Sequence, residues 1–158
     1  MGVSRGNSRV GAMKARNPDF ETVARSAFSD APFVSGLGIE LVTIEPGRCD
    51  AGLDLTPNHL QHLGVVHGGV VTTLAGHAAL GAAISFAESG ASLVSPSFNM
   101  NLLRSAHEGR LVAEAHVISG GITLIVVEIE VHNLVADSRN LVAKASFTYV
   151  RSPWSHSK

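Results

Sequence analysis

The chain is poor in cysteine, in aromatic residues and in net charge, and each shortage removes a class of function. One cysteine, Cys49, stands in 158 residues. A lone thiol forms no internal disulfide, offers no thiolate metal site and fits a reducing compartment, the cytoplasm. We read it as a small strand residue. Aromatic residues make up 5% of the sequence, too few for a platform on which bases stack. A formal net charge of −1 supplies no basic field for nucleic acid. The sequence has no P-loop, dinucleotide fingerprint or His-Glu-x-x-His run, so those nucleotide and zinc chemistries are unsupported. Its one Gly-x-Ser-x-Gly spacing, at residues 2–6, lies in the polar tail and not between a strand and a helix, so a serine hydrolase of the α/β type is unsupported. His59 and His62 lack third and fourth ligands, and we expect no metal and no cofactor. Residues 1–16 are polar and carry four basic side chains but no apolar signal-peptide core; we expect a mobile tail there.

What is present fits one domain with one core: 45% hydrophobic and 16% charged residues. We place that domain at 17–151, with a second tail at 152–158. Asn17-Pro18-Asp19 reads as a helix start, running to about Ser29. Strands are expected at 39–44 and 49–55 around the turn Glu45-Pro46-Gly47-Arg48, the second with one dry and one wet face. Four longer strands follow at 93–103, 111–119, 122–132 and 141–150, each with alternating apolar residues. Phe98, Met100 and Leu102 share one face; Leu141, Ala143, Ala145, Phe147 and Tyr149 share another. Glu128 and Glu130 are expected to face solvent.

Between the two strand groups lies a helix expected at 68–88, apolar nearly all round and rich in alanine and glycine. A helix with no polar face is buried on most sides, and small side chains let a sheet approach it closely. Its length admits a membrane span, but His67, His77 and the diglycine within it, with no flanking basic cluster, argue against one. Consecutive hairpin-linked strands with one apolar face need a cover, and this helix is the only element able to supply it. The expected fold is therefore α+β, an antiparallel sheet curled around a central helix.

The helix opens on Gln61-His62-Leu63-Gly64-Val65-Val66-His67-Gly68-Gly69. A diglycine at a helix start leaves backbone N–H groups unshielded, the geometry that polarises a carbonyl. No acidic residue follows in the helix before Glu88.

This series, together with Thr73-Leu74-Ala75, Asn99-Met100-Asn101-Leu102-Leu103-Arg104, Gly109-Arg110-Leu111 and Leu141-Val142-Ala143, resembles the hotdog-fold thioesterases, in particular the phenylacetate-degradation type of acyl-CoA thioesterase. The resemblance covers 33–149. It implies hydrolysis of an acyl-CoA substrate to free acid and CoA in a homodimer or dimer of dimers, without nucleic acid or membrane. It implies that the Gly68 amide, with Gly69 beside it, polarises the thioester carbonyl and that Gln61 orients water or the acyl group. His67 either touches substrate or ties down the loop. A Ser or Thr on the strand after the helix holds the catalytic water; Ser95 matches, with Ser97 on the same strand face.

The family's helix carboxylate stands nine residues after the motif histidine, and here that position is Gly76. His77 is adjacent, about 100° round the helix, and is either a substitute base or a helix histidine satisfied by the dimer neighbour. Gly76 either leaves room for water or substrate or allows close packing. Ile122 replaces a basic residue that relatives often place against CoA phosphates, leaving Arg104 and Arg110 as candidates. His59 and His62 read as loop residues, His62 beside Gln61 at the cleft edge. Two further readings stay open: a non-hydrolytic acyl-CoA binding protein, because the carboxylate is lost, and a structural dimer without a small ligand.

Overall fold

The computed structural model describes residues 14–152; the remaining residues of both expected tails lie outside it. Arg16 and Ser152 are bonded into the domain, Arg16 N to Ser85 O at 2.8 Å and Ser152 N to Ser92 O at 2.7 Å.

Helix α1 spans Phe20–Ser29. It begins two residues after Pro18, while Asn17 caps the turn before it, its Oδ1 accepting from Asp19 N at 3.0 Å and its carbonyl from Phe20 N. A short helix α2, Pro32–Leu37, follows. It was not expected. Pro32 suits its first turn and Gly38 (φ 79°) ends it in the left-handed region, but six residues are too few to show a helical period.

Strands β1 (Glu40–Glu45) and β2 (Arg48–Asp54) form the first hairpin. The central part of β2 is buried on both faces, Asp50 included, which corrects the expected dry-and-wet alternation. Asp50 is covered because Arg48 folds over it, Nη2 to Oδ2 at 3.2 Å. A 3-10 turn at Pro57–His59 precedes α3, Gly68–Ile84. Helix α3 stops short of Glu88. Phe86 N reverts to a tighter bond with Ala83 O at 2.9 Å, and Ser85 Oγ bonds Ala82 O at 2.8 Å while accepting from Gly47 N at 2.8 Å.

Strands β3 (Leu93–Leu102), β4 (Arg110–Gly120), β5 (Leu124–Val135) and β6 (Ser138–Arg151) complete one antiparallel sheet in the order β1-β2-β4-β5-β6-β3. The sheet curls around α3 as a hotdog fold. Leu74, Ala75, Ala78, Ala79, Ala82 and Ala83 of α3 are fully buried against Leu53, Leu111, Val127, Ile129 and Val131. Small helix residues permit this approach: a methyl group at Gly81 would lie 2.5 Å from Cys49 Sγ.

Two facing assignments differ from the alternation read in the sequence. Between Val131 and His132 the β5–β6 register slips, pairing Ala143 with Val131 but Leu141 with His132. This bulge turns Val142 inward and leaves Leu141 half-exposed. The apolar face of β3 is also uncovered, with Phe98 53% and Leu102 56% exposed. Helix α3 lies chiefly under β2, β4 and β5, so the edge strand extends past its cover. On the outer face, Glu128 pairs with His116 (3.5 Å) and Glu130 with Lys144 (2.9 Å). The Lys144 ammonium holds the Glu130 carboxyl below its usual range.

Candidate active site

The loop that enters α3 is shaped by its own backbone. Gln61 N donates to Val65 O at 2.8 Å and Gly64 N to Gln61 O at 2.9 Å. Gly64 takes φ 73°, a conformation glycine adopts freely. Val66 N then bonds Ala106 O at 2.7 Å and His67 N bonds His59 O at 2.9 Å. The helix start is therefore fixed from two sides.

The two glycine amides are not equivalent. His67 is the N-cap of α3, and its Nδ1 accepts from Gly69 N at 2.9 Å. Val70 N bonds His67 O at 2.9 Å. Gly68 N has no acceptor among the described residues. At the first helical position it carries the positive end of a 17-residue helix dipole. Thr72 and Thr73 bond the Gly68 and Gly69 carbonyls, both at 2.8 Å, keeping the first turn intact.

Gly68 lines a cleft of about 220 Å³ with Gln61, Leu102, Arg104, Ala106 and Val142. Leu103 N and Arg104 N both bond Val142 O, at 2.7 and 3.2 Å, and this joins the far wall to the sheet. Arg104 Nη1 donates to Leu141 O at 3.0 Å. Of the residues singled out from sequence, Gln61, Gly68 and Arg104 thus meet in one cleft, with His67 capping beside it.

The others lie elsewhere in the protomer. Gly69 has its amide occupied by His67. His77 points toward α1: its Nε2 lies 3.2 Å from Ala27 O and its ring meets Phe28 edge-on at 5.1 Å. Burial pushes its pKa down, opposed in part by the Ala27 carbonyl. Gly76 faces Phe147, whose ring would be 3.2 Å from an added methyl group. Ser95 and Ser97 sit on β3 about 20 Å along the strand from Leu102, with Ser95 Oγ bonding Ser97 O at 3.2 Å. Arg110 is held by Glu40 and by Asp54 (2.9 Å), on the outer side of the sheet. These carboxylates raise its pKa, Glu40 first. His62 is exposed and does not line the cleft.

Leu102, Ala106 and Val142 were not among the sequence candidates. Leu102 and Val142 lie in motifs quoted above, but the β3–β6 pairing that sets them on one wall, and the Val66 N bond that draws in Ala106, are long-range and invisible locally. A second cavity, lined by Arg16, Phe86, Leu93, Ile125 and Arg151, lies at the opposite end of α3, away from the diglycine. Among the described residues, no group of His, Cys, Asp and Glu is arranged to hold a metal ion, and no helix is long and apolar enough to cross a membrane.

A sheet curled around a buried central helix is the hotdog architecture. Comparison with known proteins agrees. A family model described as Thioesterase superfamily matches residues 63–136. The 1,4-dihydroxy-2-naphthoyl-CoA hydrolase of Listeria monocytogenes is 38% identical over 60% of this chain and 77% of that protein. A thioesterase family protein from Silicibacter pomeroyi superposes with a TM-score of 0.79 at 26% identity, covering 84% of this chain and 97% of that one. The fold is shared with the PaaI protein from the phenylacetic acid degradation operon of E. coli, with a TM-score of 0.76 and 24% identity over 85% and 94% of the two chains. The chain belongs to the thioesterase superfamily.

Proposed function

We propose that this protein hydrolyses an acyl-CoA thioester to a free acid and CoA. The observation that carries the reading is the Gly68 N–H, unpaired among the described residues and opening on a cleft shared with Gln61 and Arg104. A thioester carbonyl seated there accepts from Gly68 N, and the α3 dipole favours the negative charge that develops on its oxygen. Gln61 orients the attacking water, and the Arg104 guanidinium takes a CoA phosphate. His67 serves the site indirectly by capping Gly69.

The proton acceptor comes from a second copy of the chain in this reading. Exposed Phe98 and Leu102 form the apolar edge of β3 that such a copy covers. Ser95, exposed and distant from Gly68 in its own protomer, reaches the site only across that interface; His77 does so only by giving up its bond to Ala27 O and its contact with Phe28. The protein is then a homodimer or a dimer of dimers, a state that light scattering measures directly. A reducing cytoplasm suits its single buried thiol.

One observation favours a second reading, an acyl-CoA binding protein without turnover. No Asp or Glu lines the cleft, and the helix position that bears a carboxylate in the resembling enzymes is Gly76. A thiol-release screen over short, medium and aromatic acyl-CoAs separates the two. Steady CoA release supports the hydrolase; thermal stabilisation by an acyl-CoA without release supports the binder.

A further inference from the structure

His59 is buried, 6% exposed, yet belongs to no part of the cleft. Both of its ring nitrogens are engaged. Nδ1 accepts from Thr56 N at 3.0 Å, and Nε2 lies 2.8 Å from Leu37 O. A carbonyl only accepts, so Nε2 carries the proton and the ring is the neutral Nε2–H tautomer. Each partner is an orphan of a helix end: Leu37 O closes α2, and Thr56 N precedes the 3-10 turn. A flat ring with a donor and an acceptor on opposite edges satisfies both at once.

The same residue reaches the candidate active site through its backbone. His59 O accepts from His67 N at 2.9 Å. His67 Nδ1 in turn accepts from Gly69 N, which leaves Gly68 N as the amide facing the cleft. The bonds run unbroken from Leu37 through the His59 ring and its carbonyl to His67 and Gly69. The Leu60–Val66 bridge and the Val66 N bond to Ala106 O hold the loop on its other side. The loop between them carries Gln61. Rotation of the His59 peptide would therefore shift the His67–Gly68 peptide and the amide it aims.

We propose that His59 is a positioning residue for the thioesterase site, setting the direction of the Gly68 N–H without touching substrate. This inference rests on the reading of Gly68 as the carbonyl-polarising group. A displacement of about 1 Å at such a donor is enough to cost a large part of its rate effect.

The test compares the parent with His59→Asn and His59→Ala. Asn keeps an acceptor near the Nδ1 position and loses the bond to Leu37 O. For an acyl-CoA that the parent hydrolyses, His59→Ala is expected to lower kcat about tenfold or more while KM changes less than about twofold, and His59→Asn to recover part of the loss. An unchanged kcat in both variants overturns the proposal, as does a loss of kcat no greater than the loss of folded protein measured by circular dichroism. A second readout needs no turnover: the ¹⁵N–¹H resonances of Gly68 and Gly69 in His59→Asn. They are expected to move while those of Ala82 and Ala83 stay in place. Unmoved Gly68 and Gly69 resonances overturn the proposal. If the parent releases thiol from no acyl-CoA, the hydrolase reading fails, and the resonances alone decide whether His59 aims the loop. If His59→Ala does not fold, His59→Asn carries both measurements.

Discussion

The Tyr149 hydroxyl donates to the Gly76 carbonyl at 2.7 Å, tying β6 to the middle of α3. Burial raises the Tyr149 pKa, so the phenol remains a donor throughout the neutral range. Next to it, Phe147 stacks on Phe98 at 4.8 Å and on Tyr149 at 6.4 Å, with its ring edge over Gly76. Gly76, where the resemblance implies a carboxylate, is roofed by an aromatic stack.

That relationship sets the outcome of Gly76→Asp. The new Cβ meets Phe147 Cε1 at 3.2 Å and Cζ at 3.4 Å. These are the far atoms of a ring whose outer neighbour Phe98 is exposed, so the stack yields by a few tenths of an ångström. We expect Gly76→Asp to lose stability, because its carboxylate lies beneath the Phe147 ring, and to release thiol faster than the parent. Gly76→Ala, which adds the volume without the charge, gains about 1 kcal/mol of helix propensity against a contact that yields, so it should melt near or above the parent and show no rate gain. Equal rates in Gly76→Asp and Gly76→Ala would count against a productive cleft.

Gly68→Pro removes one hydrogen-bond donor and sets a ring carbon where that N–H points. Gly68 is the first residue of α3, where proline is well tolerated. His67, at φ −64° and ψ 133°, already has the extended conformation that a residue before proline adopts. The cost is crowding of Leu102 Cδ1, 3.0 Å from an added Cβ, and Gly68→Ala controls for it. Loss of a single oxyanion donor costs on the order of 10²–10³ in kcat. We expect that loss in Gly68→Pro, with Gly68→Ala retaining most activity and both melting near the parent. Steady-state kinetics on the matched pair reads the difference. Comparable activity in the two would remove the amide from the mechanism.

Gly81 and Cys49 offer a test of the core that is independent of function. An alanine in a helix interior is favoured over glycine by about 1 kcal/mol. At Gly81, however, the methyl would lie 2.5 Å from Cys49 Sγ and 3.0 Å from Cys49 Cβ. Cys49 is fully buried on a central strand and has nowhere to retreat. Overpacking, at roughly 1–3 kcal/mol, therefore outweighs propensity. Gly81→Ala should lower stability in urea unfolding, and Cys49→Ala in the same chain should restore a good part of it. The double-mutant cycle should show a coupling of about 1 kcal/mol or more. Additive effects would mean that the strand and helix are not in this contact.

The contrast between these sites explains what the sequence made legible. Long periodic segments such as 124–135 announce themselves, because one buried face repeats over many residues. The diglycine was visible because glycine at a helix start has few other uses. Helix α2 was not, being shorter than two turns. Alternation in β3 identified Phe98, Met100 and Leu102 as one face, but period says nothing about whether another element reaches that face. Arg110 was visible as a charge, whereas its commitment to Glu40 and Asp54 arises only when three strands align. The cleft wall at Val142 depends on a single slip in strand register, which no local pattern encodes.

His77 should make the fold sensitive to acid. Its ring is half-buried against Phe28 and bonded to Ala27 O, and desolvation lowers its pKa from the ordinary 6.5. The unfolded chain thus binds the proton more tightly than the folded one. Stability is complete above about pH 6.5 and declines as pH falls from there through the lower folded value, since protonation draws the chain toward the unfolded state. His77→Gln keeps a polar group that can donate to Ala27 O but does not titrate in this range. Thermal melts at pH 7.5 and 5.5 should show a larger drop for the parent than for His77→Gln. Glu130, whose carboxyl is held low by Lys144, loses its share of stability only at more acidic pH, below its ordinary 4.5. Parallel melting curves for the two proteins between these pH values would show that the buried ring is not the source of the acid sensitivity.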